Sequence, residues 1–142
     1  MSRQNWLDGV VITGGEPTLH KDLIDFIIKV KKVGYAVKLD TNGAFPMVLK
    51  DLIENKLIDY VAMDIKTIME SKEYQNICSV NDPYLLSKIE KSIKILKESD
   101  IEYQLRTTVI PQFHSNKIID KLQKDFSCCN YKLQEFRETK LF

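Results

Sequence analysis

Gly9-Val10-Val11-Ile12-Thr13-Gly14-Gly15-Glu16-Pro17 is a short apolar run that stops at a glycine pair and an acid. An unalternating run of this length reads as a buried strand, of the kind found in parallel sheets. Downstream the periodicity changes. Leu23, Phe26, Ile27, Val30 and Val33 recur at helical spacing, and Gly34 stands where a helix C-terminus takes a left-handed residue. Tyr35 to Asp40 predicts a second strand, Pro46 opens a helix faced by Leu49, Leu52, Ile53 and Leu57, and Asp59 to Ile65 predicts a third strand. Residues 66–81 read as polar and irregular. Asp82-Pro83 then supply a cap and a first-turn proline for a long helix faced by Leu86, Ile89, Ile93 and Leu96. Tyr103 to Ile110 predicts a strand stopped by Pro111, Ser115 or Asn116 caps a helix with Ile118, Ile119 and Leu122 inward, and Tyr131 to Phe136 is the last strand.

Five predicted strands alternate with four helices, so an α/β fold with a parallel sheet and right-handed crossovers is expected, as one domain over residues 1–142. An apolar content of 44% in 142 residues supports one sizeable core. Lysine and arginine number 21 against 20 acids, a net charge of +1 that gives no general attraction to nucleic acid or an anionic membrane. No apolar run has the length of a membrane span and the first residues carry no signal-peptide pattern, so a cytoplasmic protein is expected. The three cysteines, Cys78, Cys128 and Cys129, are an odd set with no disulfide framework. Adjacent Cys128 and Cys129 would point to opposite faces on or beside a strand, so each is expected to behave as a small buried hydrophobe. His20 and His114 lack partner ligands at metal spacing and are expected at the surface, while Trp6 and Leu7 are expected to cover core.

In parallel α/β folds ligands bind beyond the carboxyl ends of the strands. The unusual residues gather there: Thr13-Gly14-Gly15-Glu16-Pro17 after the first strand, Asp40-Thr41-Asn42-Gly43 after the second, Asp64-Ile65-Lys66 after the third, and Arg106 in the fourth. Gly14 and Gly15 let a ligand approach the backbone, and Glu16 is suited to accept hydrogen bonds from an ammonium group. Lys66 and Arg106 can meet a carboxylate or phosphate, whereas Asp40 and Asp64 can hold a cation or fix those bases. Such a mixed rim suits a zwitterion. Each motif also has an ordinary reading, Gly14-Gly15 and Asn42-Gly43 as turns and Asp64 with Lys66 as solvated strand-end charges, and it is their shared location that points to a site.

Val10 to Pro17, followed by Leu39-Asp40-Thr41-Asn42-Gly43 and Ala62-Met63-Asp64-Ile65-Lys66, resembles the radical S-adenosylmethionine (SAM) activating enzymes in order and spacing. The activating proteins of anaerobic ribonucleotide reductase and of pyruvate formate-lyase look most alike. The resemblance implies a partial parallel (β/α) barrel, SAM as cofactor, a 4Fe-4S cluster held by a CxxxCxxC loop, a glycyl-radical enzyme as partner, and flavodoxin or ferredoxin as electron donor. It implies further that Gly14, Gly15 and Glu16 receive the SAM amino group, that Thr41, Lys66 and Arg106 contact other parts of the cofactor, and that Asp40, Thr41 and Asp64 hold a monovalent cation. The radical produced by reductive SAM cleavage would then be passed to a glycine of the partner.

Set against that pattern, the first strand-helix unit with its cysteine loop is expected to be missing, and Cys78, Cys128 and Cys129 do not replace it. Leu133-Gln134-Glu135-Phe136-Arg137 matches the position of the family's last core strand but lacks the histidine that some relatives place near adenine. An uncovered strand edge would favour self-association. The rival readings are a non-catalytic nucleotide- or phosphate-binding α/β module and an interaction remnant of an activase.

Overall fold

A computed structural model describes residues 7–136. The five apolar runs form strands β1 (Gly9–Ile12), β2 (Ala36–Thr41), β3 (Tyr60–Asp64), β4 (Glu102–Val109) and β5 (Tyr131–Glu135). All neighbours are parallel, in the spatial order β1-β2-β3-β4-β5, and the sheet does not close. Helices α1 (Leu23–Lys32), α2 (Pro46–Glu54), α4 (Leu85–Glu98) and α5 (Asn116–Asp125) return the chain between them, while α3 (Ser71–Cys78) is an additional element after β3. Sequential right-handed crossovers in one direction place the returning helices on the same face.

That face holds the core. Val37 and Leu39 of β2, Val61 and Met63 of β3 and Leu105 of β4 pack with Ile27, Leu49, Leu52, Ile89, Leu96 and Leu122 from the helices. Side chains alternate across a strand, so the residues between them face the other way. Lys38, Asp40, Asp64 and Arg106 therefore occupy the opposite, open face, where all four are partly exposed. An open parallel sheet with helices outside and charged residues inside is a partial (β/α) barrel.

Four sequence expectations change here. The run at Val10-Val11-Ile12 forms an edge strand, and Val11 is 52% exposed, because among the described residues β1 has a strand neighbour on one side only. The stretch read as irregular after Lys66 contains α3, whose polar surface hides its periodicity while the fully buried Tyr74 anchors it. The Asp82-Pro83 pair makes a turn before α4, with the Asp82 carboxylate accepting from Tyr84 N–H at 2.9 Å, and the helix itself begins at Leu85. Trp6 lies outside the described residues, and Leu7 is exposed and covers no core.

Candidate functional site

The loop after β1 turns through two left-handed residues, Gly14 at φ +93° and Gly15 at φ +53°, and nothing lies within 4 Å of where a Cβ would stand on either. Their backbone is thus open to close approach from outside. Glu16 next to them points inward. Its Oε1 accepts from the Thr18 N–H at 3.1 Å, from the Thr18 hydroxyl and from the Thr41 hydroxyl at 2.8 Å, and its Oε2 accepts from the Asn42 N–H at 2.7 Å. Only 8% of the residue is exposed. The carboxylate ties the glycine loop to the end of β2, and Thr41 closes the second loop on itself by accepting from Gly43 N–H at 3.1 Å.

On the open face one charged row crosses three strands. Arg106 of β4 donates through Nε to Asp64 of β3 at 2.6 Å and through its terminal nitrogen to Asp40 of β2 at 3.1 Å. To reach β2 the guanidinium passes beside Ala62, which is paired with Asp40 and leaves room for it. Lys66 meets Asp64 at 3.4 Å and Lys38 meets Asp40 at 3.5 Å. Burial works against the charge of Arg106, but its bonds and attraction to Asp64 and Asp40 outweigh it and hold the guanidinium above the ordinary arginine value. Asp40 Oδ1 is buried without a hydrogen-bond donor. Its cationic neighbour is the Lys38 ammonium, 3.5 Å away, which pairs with it by charge without a hydrogen bond.

The predicted residues thus fall into two neighbouring sets. Gly14, Gly15, Glu16 and Thr41 share one loop assembly, and Asp40, Asp64, Lys66 and Arg106 share one ion-pair row. Asp40 and Thr41 are consecutive, so the sets meet at the end of β2 with side chains on opposite faces of the sheet. Beyond Lys66 lies a cavity of about 230 Å³ walled by Ile77, Thr108, Ile110, Phe113 and His114.

His114 corrects a sequence expectation, since it is 4% exposed. Its Nδ1 accepts from Ile110 N–H at 2.9 Å and its Nε2 donates to the Lys66 carbonyl at 2.8 Å. The short spacing from Ile110 to His114 across Pro111 was the available signal: a chain reversal directly after a strand turns the ring back over the strand end. Tyr74, Ala62 and Asn42 also went unread, because their contributions are a phenol hidden on a polar helix, a missing side chain and a backbone N–H. The cysteines differ from expectation too. Cys128 is exposed, and its sulfur lies 3.9 Å from that of Cys129, because both sit in the turn after α5, where the alternation of a strand does not apply. Among the described residues no group of three or more His, Cys, Asp or Glu side chains is placed to hold a metal ion, so the thiols present do not fit the ligand set of an iron-sulfur cluster. The zwitterionic cofactor is a different case. The open glycine backbone, the acids Asp40 and Asp64 and the bases Arg106 and Lys66 fit a ligand that carries an ammonium and a carboxylate.

Known proteins resemble this chain in sequence and in fold. A glycyl-radical enzyme activating enzyme proposed in Methanocaldococcus jannaschii is 38% identical over 131 residues, covering 91% of this chain and 55% of the relative. A proposed GTP 3',8-cyclase of Pyrococcus horikoshii is 28% identical over 114 residues, covering 80% of this chain and 36% of the relative. The chain therefore spans about half the length, or less, of the curated relatives it matches. Among solved structures, a domain of pyruvate-formate lyase-activating enzyme from Bacteroides vulgatus superposes with a TM-score of 0.69 at 25% identity, covering 88% of this chain and 75% of that one. The AdoMet-bound structure of anSMEcpe shares the fold, with a TM-score of 0.62 at 20% identity, over 99% of this chain and 43% of that one. The radical SAM superfamily pattern itself matches residues 1–122, from before the glycine loop to the last helix, and on that match the chain belongs to the radical SAM superfamily.

Proposed function

We propose that this chain carries the SAM-binding part of a radical SAM enzyme, of the class that activates glycyl-radical enzymes. The observation that carries the reading is the ion-pair row of Asp40, Arg106 and Asp64, flanked by Lys38 and Lys66, at the strand ends that also present the open glycine loop. Lys66 and Arg106 would hold the cofactor carboxylate, and the Gly14-Gly15 backbone would face its ammonium, kept in place by Glu16 and Thr41. Of the three residues expected to hold a monovalent cation, Asp40 and Asp64 would do so from the open face, whereas Thr41 points to the other face and its hydroxyl is engaged with Glu16 and Gly43. Arg106 now sits between the two acids, so a ligand carboxylate that draws it away would free them for that ion. When bound, SAM supplies a sulfonium-carbon bond open to reductive cleavage. The residues described here bind and orient it; they supply no thiolates for a cluster, and no electron-transfer step is assigned to them.

The activating class rests on the M. jannaschii relative and the B. vulgatus domain. It carries with it a glycyl-radical enzyme such as anaerobic ribonucleotide reductase or pyruvate formate-lyase as the partner, flavodoxin or ferredoxin as the donor, a cytoplasmic setting, and self-association through the edge of β1 that has no strand partner among the described residues. Among the described residues no helix is long and apolar enough to cross a membrane. The GTP 3',8-cyclase relatives favour a second reading, in which the same rim serves SAM beside a phosphorylated nucleotide. Calorimetric titration tests both. S-adenosylhomocysteine, the thioether analogue of the cofactor, is expected to bind, and neither inorganic phosphate nor GTP to displace it. Tight GTP binding without any thioether binding would defeat the proposal.

A further inference from the structure

Lys66 follows β3 in a loop, and a lysine held by its own chain alone would sweep a wide arc. Its peptide groups are gripped from two sides. Tyr74 of α3, fully buried, places its phenol oxygen 3.1 Å from Lys66 N–H and accepts from it. His114, from the loop after β4, donates from Nε2 to the Lys66 carbonyl at 2.8 Å. Only one tautomer makes both bonds: Nδ1 accepts from Ile110 N–H at 2.9 Å, so the proton sits on Nε2. Thr107 of β4 adds a donation to the Ile65 carbonyl at 2.7 Å, fixing the preceding peptide. Buried side chains from three elements thus secure two consecutive residues of a loop. Loop peptides ordinarily turn to water for these bonds.

We infer that His114 and Tyr74 are positioning residues that fix the Lys66 backbone so that its ammonium stands beside Asp64 at the mouth of the 230 Å³ cavity, ready for an anionic ligand group. This rests on the cofactor reading above for the identity of the anion, while the clamp itself is independent of it. The two halves of the imidazole can be separated by substitution. His114→Gln keeps a donor near the Nε2 position and loses the acceptor for Ile110. His114→Asn keeps an acceptor near Nδ1 and loses the bond to Lys66.

The test combines three measurements on the full chain. Nitrogen-15 spectra of the imidazole are expected to show a neutral ring protonated at Nε2, and amide exchange at Lys66 is expected to quicken in Tyr74→Phe. In titrations with S-adenosylhomocysteine, H114Q is expected to bind within about twofold of the parent, whereas H114N weakens binding about tenfold, the ratio associated with one well-placed hydrogen bond. In a Lys66→Met background the two variants should bind alike, because there is no ammonium left to position. A merely structural histidine would lower the urea midpoints of both variants and leave their affinities equal. An Nδ1-protonated ring, equal affinities, or a difference that survives K66M would overturn the clamp. If the parent binds no S-adenosylhomocysteine while tautomer and exchange behave as stated, the cofactor reading fails and the clamp stands.

Discussion

Arg106 reaches from β4 over β3 to β2, and its guanidinium is shared between Asp64 and Asp40. A planar fork can satisfy two acids on different strands, whereas an ammonium must choose between them. Arg106→Lys is therefore expected to lower stability by about 1 kcal/mol in urea unfolding, by leaving one of the two carboxylates with only its neighbouring lysine, Lys38 or Lys66, as partner. Adding Asp40→Asn to R106K should return part of that loss. Glu16 argues the same way from donors. Each of its oxygens faces a backbone N–H, Thr18 on one side and Asn42 on the other, so Glu16→Gln turns its amide NH2 toward a group that can only give whichever way it is placed, and should cost about 2 kcal/mol. Thr41→Val removes one of those donors, and a double-mutant cycle with E16Q should show coupling, since both changes break the same contact.

At the scale of elements, the loop from β2 into α2 is set by Gly43, whose φ of +76° suits glycine and whose carbonyl accepts from Ser92 of α4 at 2.7 Å. A Cβ there would overlap the Met63 methyl. Gly43→Ala is expected to destabilise by about 2 kcal/mol, combining the backbone conformation with displacement of a buried methionine. The opposite end of the sheet is tied by Asp59, which accepts from Lys31 of α1 at 2.8 Å and from Val37 N–H of β2 at 2.6 Å. Burial opposes its charge, yet the Lys31 and Val37 bonds outweigh burial and hold the carboxyl below the usual value. A lowered folded-state pKa means stability that is fully present above the unfolded value of about 3.9 and is lost as the pH falls through the folded value. Asp59→Asn should thus be about 1 kcal/mol less stable than the parent at neutral pH, with the gap closing in acid, as read by urea midpoints at both conditions.

Across the whole molecule, the alternation of strands and helices and the gathering of charged residues at the strand ends follow from local pattern, whereas the spatial order of the strands does not. The runs at Tyr60–Asp64 and Glu102–Val109 are apolar enough to be strands, and helices between them force parallel neighbours. Elements whose stability comes from tertiary contact were harder to read. α3 is polar on its surface and owes its place to Tyr74, and His114 is buried by a chain reversal that no periodicity records. β1 looks like a covered strand in sequence because its composition does not reveal how many neighbours it has. At the site, residue types were legible while their partners were not: Glu16 reads as a ligand acid, yet its carboxylate is spent on Thr18, Thr41 and Asn42.

The central claim is that one rim, at the carboxyl ends of β1 to β4, receives the cofactor. Backbone amide shifts recorded during titration with S-adenosylhomocysteine test it most directly. The account predicts that the largest changes fall at Gly14, Gly15, Asn42, Lys66 and Arg106, with Lys56, Ser99 and Cys128 at the other end of the strands unmoved. Changes concentrated at that other end, with the glycine loop and Arg106 silent, would contradict it.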